Sequence, residues 1–189
     1  MISQRFVEDS IKVNIGNKPL YIIREFFNES TLNEITEEVK RLQNDRSGWS
    51  KGHLQEDLPR KQYKAFQSNL LTNIKDYLNT DIFFDTFYSL TKCKISNVTF
   101  NLWWDTYKYT LPMHFDNEAV KLAMQIYIGD DYCDTLGTSF GDKDQNVIFT
   151  LPYIKNTGYF LQNPNEVNHG LIGTVPENFN RFSLYFYIS

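Results

Sequence analysis

The second half of the chain is written with a period of two. Val120, Leu122, Met124, Ile126 and Ile128 alternate with Lys121, Ala123, Gln125 and Tyr127. Phe182, Leu184, Phe186 and Ile188 alternate with Arg181, Ser183, Tyr185 and Tyr187. Successive side chains of a strand leave opposite faces, so each segment reads as a strand with one apolar face and one polar or aromatic face. Further strand candidates span 95–104, 147–151, 158–161 and 165–171. Turn signals separate them: Gly129-Asp130, Gly141-Asp142, Asn156-Thr157-Gly158, Asn163-Pro164 and Pro176-Glu177-Asn178. Many short strands without intervening helices predict an antiparallel sandwich or barrel and argue against a βαβ fold.

The first ninety residues read differently. Ile11, Val13 and Ile15, then a Gly16-Asn17 turn, then residues 20–23 predict a hairpin. Thr31 and Glu34 have the spacing of a capping box, and Leu32, Ile35, Val39 and Leu42 recur at helical steps to a predicted end near Asn44. Residues 51–61 read as a polar loop containing His53. Tyr63, Phe66, Leu70, Ile74 and Leu78 form the stripe of a second helix predicted over about 62–78, and 81–90 fits a short helix or a strand. These helices need a sheet to cover.

Composition bounds the function. A formal charge of −4 is too mild to make nucleic acid a partner by bulk electrostatics. Two cysteines, Cys93 and Cys133, make neither a disulfide scaffold nor a four-thiolate zinc site, and read as free thiols of a reducing compartment. The N-terminus lacks a basic segment followed by an apolar run, and no apolar stretch approaches the roughly 18 residues of a spanning helix. The expected location is cytoplasmic, with no membrane partner.

Histidine is scarce, with His53, His114 and His169 only. In His114-Phe115-Asp116, residues i and i+2 of an extended segment point the same way, so an imidazole and a carboxylate can converge on one ion. His169 is the third candidate. Two histidines and a carboxylate make a facial triad that leaves open positions on an octahedral ferrous ion. A guanidinium at Arg181, on the inside face of a barrel, needs an anionic partner, and a carboxylate matches its fork. The bland alternatives are three unconnected histidines and an edge-strand arginine that reaches water.

Taken together, His114-Phe115-Asp116, His169-Gly170 and Arg181-Phe182-Ser183 resemble the HxD…H…RxS pattern of the Fe(II)/2-oxoglutarate-dependent dioxygenases. The resemblance covers roughly residues 95–189 and includes a G-T-x-F segment at Gly137, Thr138 and Phe140. It implies a mainly β fold with flanking helices, a double-stranded β-helix (jelly roll, cupin-like). One domain would span 1–189, with 1–91 as flank and supporting strands and 92–189 as the core. It implies that His114, Asp116 and His169 bind Fe(II), and that Arg181, helped by Ser183, pairs with the distal carboxylate of 2-oxoglutarate. Tyr127 and Gln125 would line the cavity and touch co-substrate or substrate. O2 would oxidise 2-oxoglutarate to succinate and carbon dioxide while a small molecule, amino acid or protein side chain is hydroxylated. Retention of Asp116 favours hydroxylation, because halogenating relatives replace that carboxylate. Demethylases of alkylated nucleic acid place a second arginine on the last strand, whereas 182–189 contain no Arg or Lys.

Two other classes stay open on the residues alone. A cupin-like isomerase or dioxygenase that does not use 2-oxoglutarate would lack Arg181 in the barrel lumen. A non-catalytic barrel with a binding or structural role would hold His114 and His169 far apart.

Overall fold

A computed structural model describes residues 1–3, 5–51, 59–129 and 132–189. His53 and Asp130, singled out above, lie outside the described residues. The elements follow in the order α1 (Arg5–Glu8), β1 (Ile11–Ile15), β2 (Lys18–Ile23), α2 (Glu29–Asp45), β3 (Ser50–Lys51), β4 (Arg60–Lys64), α3 (Asn69–Leu78) and α4 (Asp81–Thr91). Then come β5 (Val98–Asp105), β6 (Leu111–His114), β7 (Leu122–Tyr127), β8 (Cys133–Gly141), β9 (Val147–Tyr153), β10 (Gly158–Gln162), β11 (Asn168–Leu171) and β12 (Arg181–Ile188). Eight strands form one sheet in the order β1-β2-β10-β7-β12-β5-β4-β3, and four form a second, β6-β11-β8-β9. All named pairs are antiparallel. The two sheets face each other as a double-stranded β-helix, mostly β with helices on one side.

The period of two in β7 and β12 decides what lies on each side. Met124, Ile126, Leu184 and Phe186 join Ile35 and Val39 of α2, Leu71 and Ile74 of α3, and Phe83 and Phe87 of α4 in one buried cluster. The helices thus cover the outer face of the large sheet. Between the sheets, Tyr127, Phe140, Leu151, Tyr153, Tyr159 and Leu171 form a second cluster. Each apolar side chain buried this way contributes about 1.5–3 kcal/mol. Among the described residues, no helix is long and apolar enough to cross a membrane.

Two local expectations are corrected. The cap of α2 is Asn28, whose Oδ1 accepts from the Thr31 backbone N–H at 2.9 Å. Thr31 sits inside the first turn, so the helix begins earlier than the Thr31–Glu34 spacing suggests. Residues 60–64 are strand, where the end of a loop (60–61) and the start of a helix (62–64) were expected: Arg60 to Lys64 pair antiparallel with Asp105 to Asn101 of β5. The helix starts only at Asn69, capped by Ser68, and Phe66 of the expected stripe is 71% exposed. Long-range pairing with a sheet edge overrode the local helical pattern.

Candidate metal centre and cavity

The short strands β6 and β11 bring the histidines together, with His114 and His169 directly opposed in the register. Gly170 permits this approach, since a Cβ there would lie 2.6 Å from the Leu111 carbonyl oxygen and 2.8 Å from that of Pro112. Asp116 follows two residues after His114, its backbone N–H bonded to the Pro164 carbonyl. Its Oδ1 stands 3.6 Å from Nε2 of each histidine, and one ligand atom from each of the three residues lies within 4.8 Å of the others.

The tautomers suit a metal. His114 Nδ1 is 2.9 Å from the Pro112 carbonyl oxygen and His169 Nδ1 is 3.0 Å from that of Val167. A carbonyl only accepts, so each Nδ1 carries the proton and each Nε2 offers its lone pair toward Asp116. Burial opposes ionisation of Asp116, but the hydrogen bond to His114 and the nearby His169 hold its carboxyl below the ordinary range. In the metal-free site the hydrogen bond with Asp116 favours the protonated His114, whose Nε2 proton a bound metal would displace, while burial lowers His169. Tyr185 Oη donates to Asp116 Oδ2 at 3.4 Å, leaving Oδ1 as the ligand atom. Two imidazoles and one carboxylate are the donor set of a non-haem ferrous site.

The triad opens into a cavity of about 600 Å³ whose wall also includes Arg60, Tyr109, Gln125, Thr138, Tyr159 and Arg181. Arg181 is 2% exposed, with Nε donating to the Leu136 carbonyl and Nη1 to Asp105 Oδ2. Burial opposes its charge, but Asp105 together with the surrounding Tyr127, Tyr153 and Tyr109 outweighs it, so Arg181 stays protonated. Arg181, Ser183 and Tyr185 therefore face inward, as the alternation of β12 predicts.

The remaining expected residues divide. Gln125 lines the cavity, whereas Tyr127 and Ser183 are fully buried behind it. Gln125 Nε2 donates to Ser183 Oγ at 2.7 Å, Thr138 Oγ1 donates to Gln125 Oε1 at 3.2 Å, and Tyr127 Oη donates to Thr138 Oγ1 at 2.8 Å. The Ser183 hydroxyl thus accepts from Gln125. Two cavity residues, Arg60 and Tyr109, were not anticipated, nor was the fully buried Asp105 that Arg60 and Arg181 share. Arg60 donates to both oxygens of Asp105. Reading 60–64 as a strand would have aligned Arg60 with Gln62 and Lys64 on one face, the only local signal for it.

No family model matches the chain, and no curated protein matches its sequence. Solved structures do. A prolyl-4-hydroxylase of Pseudomonas putida superposes with a TM-score of 0.65 at 11% identity, over 89% of this chain and 91% of that one. A prolyl hydroxylase of Trichoplax adhaerens, solved with a hypoxia-inducible-factor oxygen-degradation-domain peptide fragment, gives 0.69 at 14% identity over 89% and 82%. A 2OG-Fe(II) oxygenase-family protein of Burkholderia pseudomallei gives 0.65 at 13% identity over 90% and 84%. The chain therefore shares the fold of the 2-oxoglutarate- and iron-dependent oxygenases and carries a His-Asp-His cluster at its cavity.

Proposed function

We propose that this chain is an Fe(II)- and 2-oxoglutarate-dependent oxygenase that hydroxylates a small molecule, an amino acid or a protein side chain. One observation carries the reading: His114, Asp116 and His169 share a single cavity with the buried, charged Arg181. That pairing suits a co-substrate with a chelating keto acid at one end and a carboxylate at the other. Bound ferrous iron supplies the activation of O2, and overall 2-oxoglutarate, O2 and R–H become succinate, CO2 and R–OH.

The chain's own groups do the orienting. His114 and His169 present Nε2 because their Nδ1 protons are held by backbone carbonyls. Tyr185 holds the second oxygen of Asp116. Arg181 orients the distal carboxylate, and its fork is held in place by Leu136 and Asp105. Phe115, Val120 and Tyr187 line the cavity beside the triad, where they present an apolar surface to substrate and exclude water. Arg181 in the lumen counts against the cupin-like alternative, and histidine rings 4.7 Å apart count against a non-catalytic barrel.

Anaerobic Fe(II)-loaded protein titrated with 2-oxoglutarate should develop a weak visible metal-to-ligand band, which Arg181→Ala should remove at the same co-substrate concentration. Exposure to air should then yield succinate. Absence of the band from the parent protein refutes the co-substrate assignment.

A further inference from the structure

The end of the cavity at Arg181 holds more charge than one arginine explains. Three strands lay Arg60, Asp105 and Arg181 in one row, each paired with its neighbour in the register. Asp105 is fully buried between them. It accepts from Arg60 through Nε and Nη2, and from Arg181 through Nη1. Two guanidinium groups against one carboxylate leave a net +1. An unmatched buried charge is costly, so such a row suits a ligand that brings one negative charge.

A second observation points to the same ligand. Tyr109 is fully buried and lines the cavity, and its Oη has no hydrogen-bond partner among the described residues. Its ring lies 4.2 Å from the guanidinium carbon of Arg60, which also stacks at 4.7 Å on Trp103. A buried hydroxyl without a partner is destabilising, and a bound acceptor would relieve that cost. Arg181 itself is anchored at the same end of the cavity, through Nε to Leu136 and through Nη1 to Asp105.

Resting on the co-substrate reading above, we infer that Arg60 is a positioning residue for the distal carboxylate of 2-oxoglutarate. It takes up the charge of Asp105, so that Arg181 keeps its own for the ligand, and the Tyr109 hydroxyl donates to the same carboxylate. Asp105 in turn fixes the Arg181 fork. Without Arg60, Asp105 and Arg181 would close into a neutral pair that no longer attracts an anion.

Calorimetric binding to Mn(II)-loaded protein tests this without turnover. Arg60→Met keeps the stem between Trp103 and Tyr109 and removes the charge. It should weaken 2-oxoglutarate roughly 30-fold or more. It should leave 2-oxopentanoate, which has a methyl group in place of the distal carboxylate, unchanged. Arg60→Met combined with Asp105→Asn should restore 2-oxoglutarate binding to within a few-fold of the parent. Tyr109→Phe should weaken it about 2- to 10-fold. Equal weakening of both keto acids by Arg60→Met, or no recovery in the double variant, would show a merely structural role and overturn the inference. Unchanged 2-oxoglutarate affinity in Arg60→Met overturns the inference alone. A parent protein that does not bind 2-oxoglutarate overturns the co-substrate reading and the inference with it.

Discussion

The two faces of β12 are eight residues of one strand put to opposite uses. Outward, Phe182, Leu184, Phe186 and Ile188 sink into the cluster that α2, α3 and α4 complete. Inward, Arg181 and Ser183 are equally buried but are held by hydrogen bonds, and Tyr185 reaches Asp116. The outer face gains stability from apolar area, which is tolerant of detail. The inner face depends on matched donors and acceptors, where one missing partner is expensive. A period of two therefore separates what holds the fold from what handles a ligand. Variants on the two faces should fail in different assays.

The largest effect should come from the cavity. Asp116→Ala removes the one anionic ligand of the triad. Metal affinity should fall by more than roughly 100-fold, with succinate formation lost and the melting temperature of the metal-free protein little changed. Equilibrium dialysis with Fe(II) or Mn(II) and a melting curve on the same preparation measure both. Metal binding that survives the substitution would show that the two histidines are not joined by this carboxylate.

Next is the outer face. Leu184 is fully buried, and Leu184→Ala should cost about 2–5 kcal/mol in urea unfolding. The folded fraction should bind 2-oxoglutarate within about twofold of the parent. Loss of affinity in step with stability would erase the distinction between the faces.

Ser183→Ala sharpens the comparison, because Ser183 faces inward but is bonded to Gln125. Removing the hydroxyl leaves Gln125 Nε2 without that acceptor and should cost about 1–3 kcal/mol of stability. Its effect on 2-oxoglutarate affinity should stay well below that of Arg60→Met. If Ser183→Ala weakens the co-substrate as strongly, the hydroxyl touches the carboxylate directly.

The sequence made some parts of this design legible and hid others, for reasons of distance. The alternation of β7 and β12 is local, so the inward set of Arg181, Ser183 and Tyr185 could be read directly. His114 and Asp116 are two residues apart, and His169 was one of only two other imidazoles. The row of Arg60, Asp105 and Arg181 was not legible. Asp105 meets its partners across 45 and 76 residues, and no local pattern marks it. Arg60 was hidden further by an apolar repeat that mimics a helix from Tyr63 onward, although Tyr63 packs from a strand and Phe66 faces solvent. Tyr109 looked like one of twelve tyrosines, and burial without a hydrogen-bond partner among the described residues is what distinguishes it.

The smallest predicted effect tests whether the outer face extends to the elements that cover it. Asn28 caps α2 through Oδ1, and α2 packs Ile35, Val39 and Leu42 into the outer cluster. Asn28→Ala should therefore behave as a mild outer-face variant. The lost cap costs about 1 kcal/mol, which for a chain of this size lowers the melting temperature by roughly 2–4 °C. Affinity for 2-oxoglutarate should not move, because the inner face of β12 is held by its own hydrogen bonds. Thr31→Ala is the control. Its side chain would be the cap if the helix began at the Thr31–Glu34 box, whereas here Thr31 supplies a backbone N–H that alanine supplies equally well. A melting-temperature drop larger for Thr31→Ala than for Asn28→Ala would move the start of α2 back to the later residue. A change in co-substrate affinity with either variant would mean that the helical layer and the cavity are coupled through the sheet.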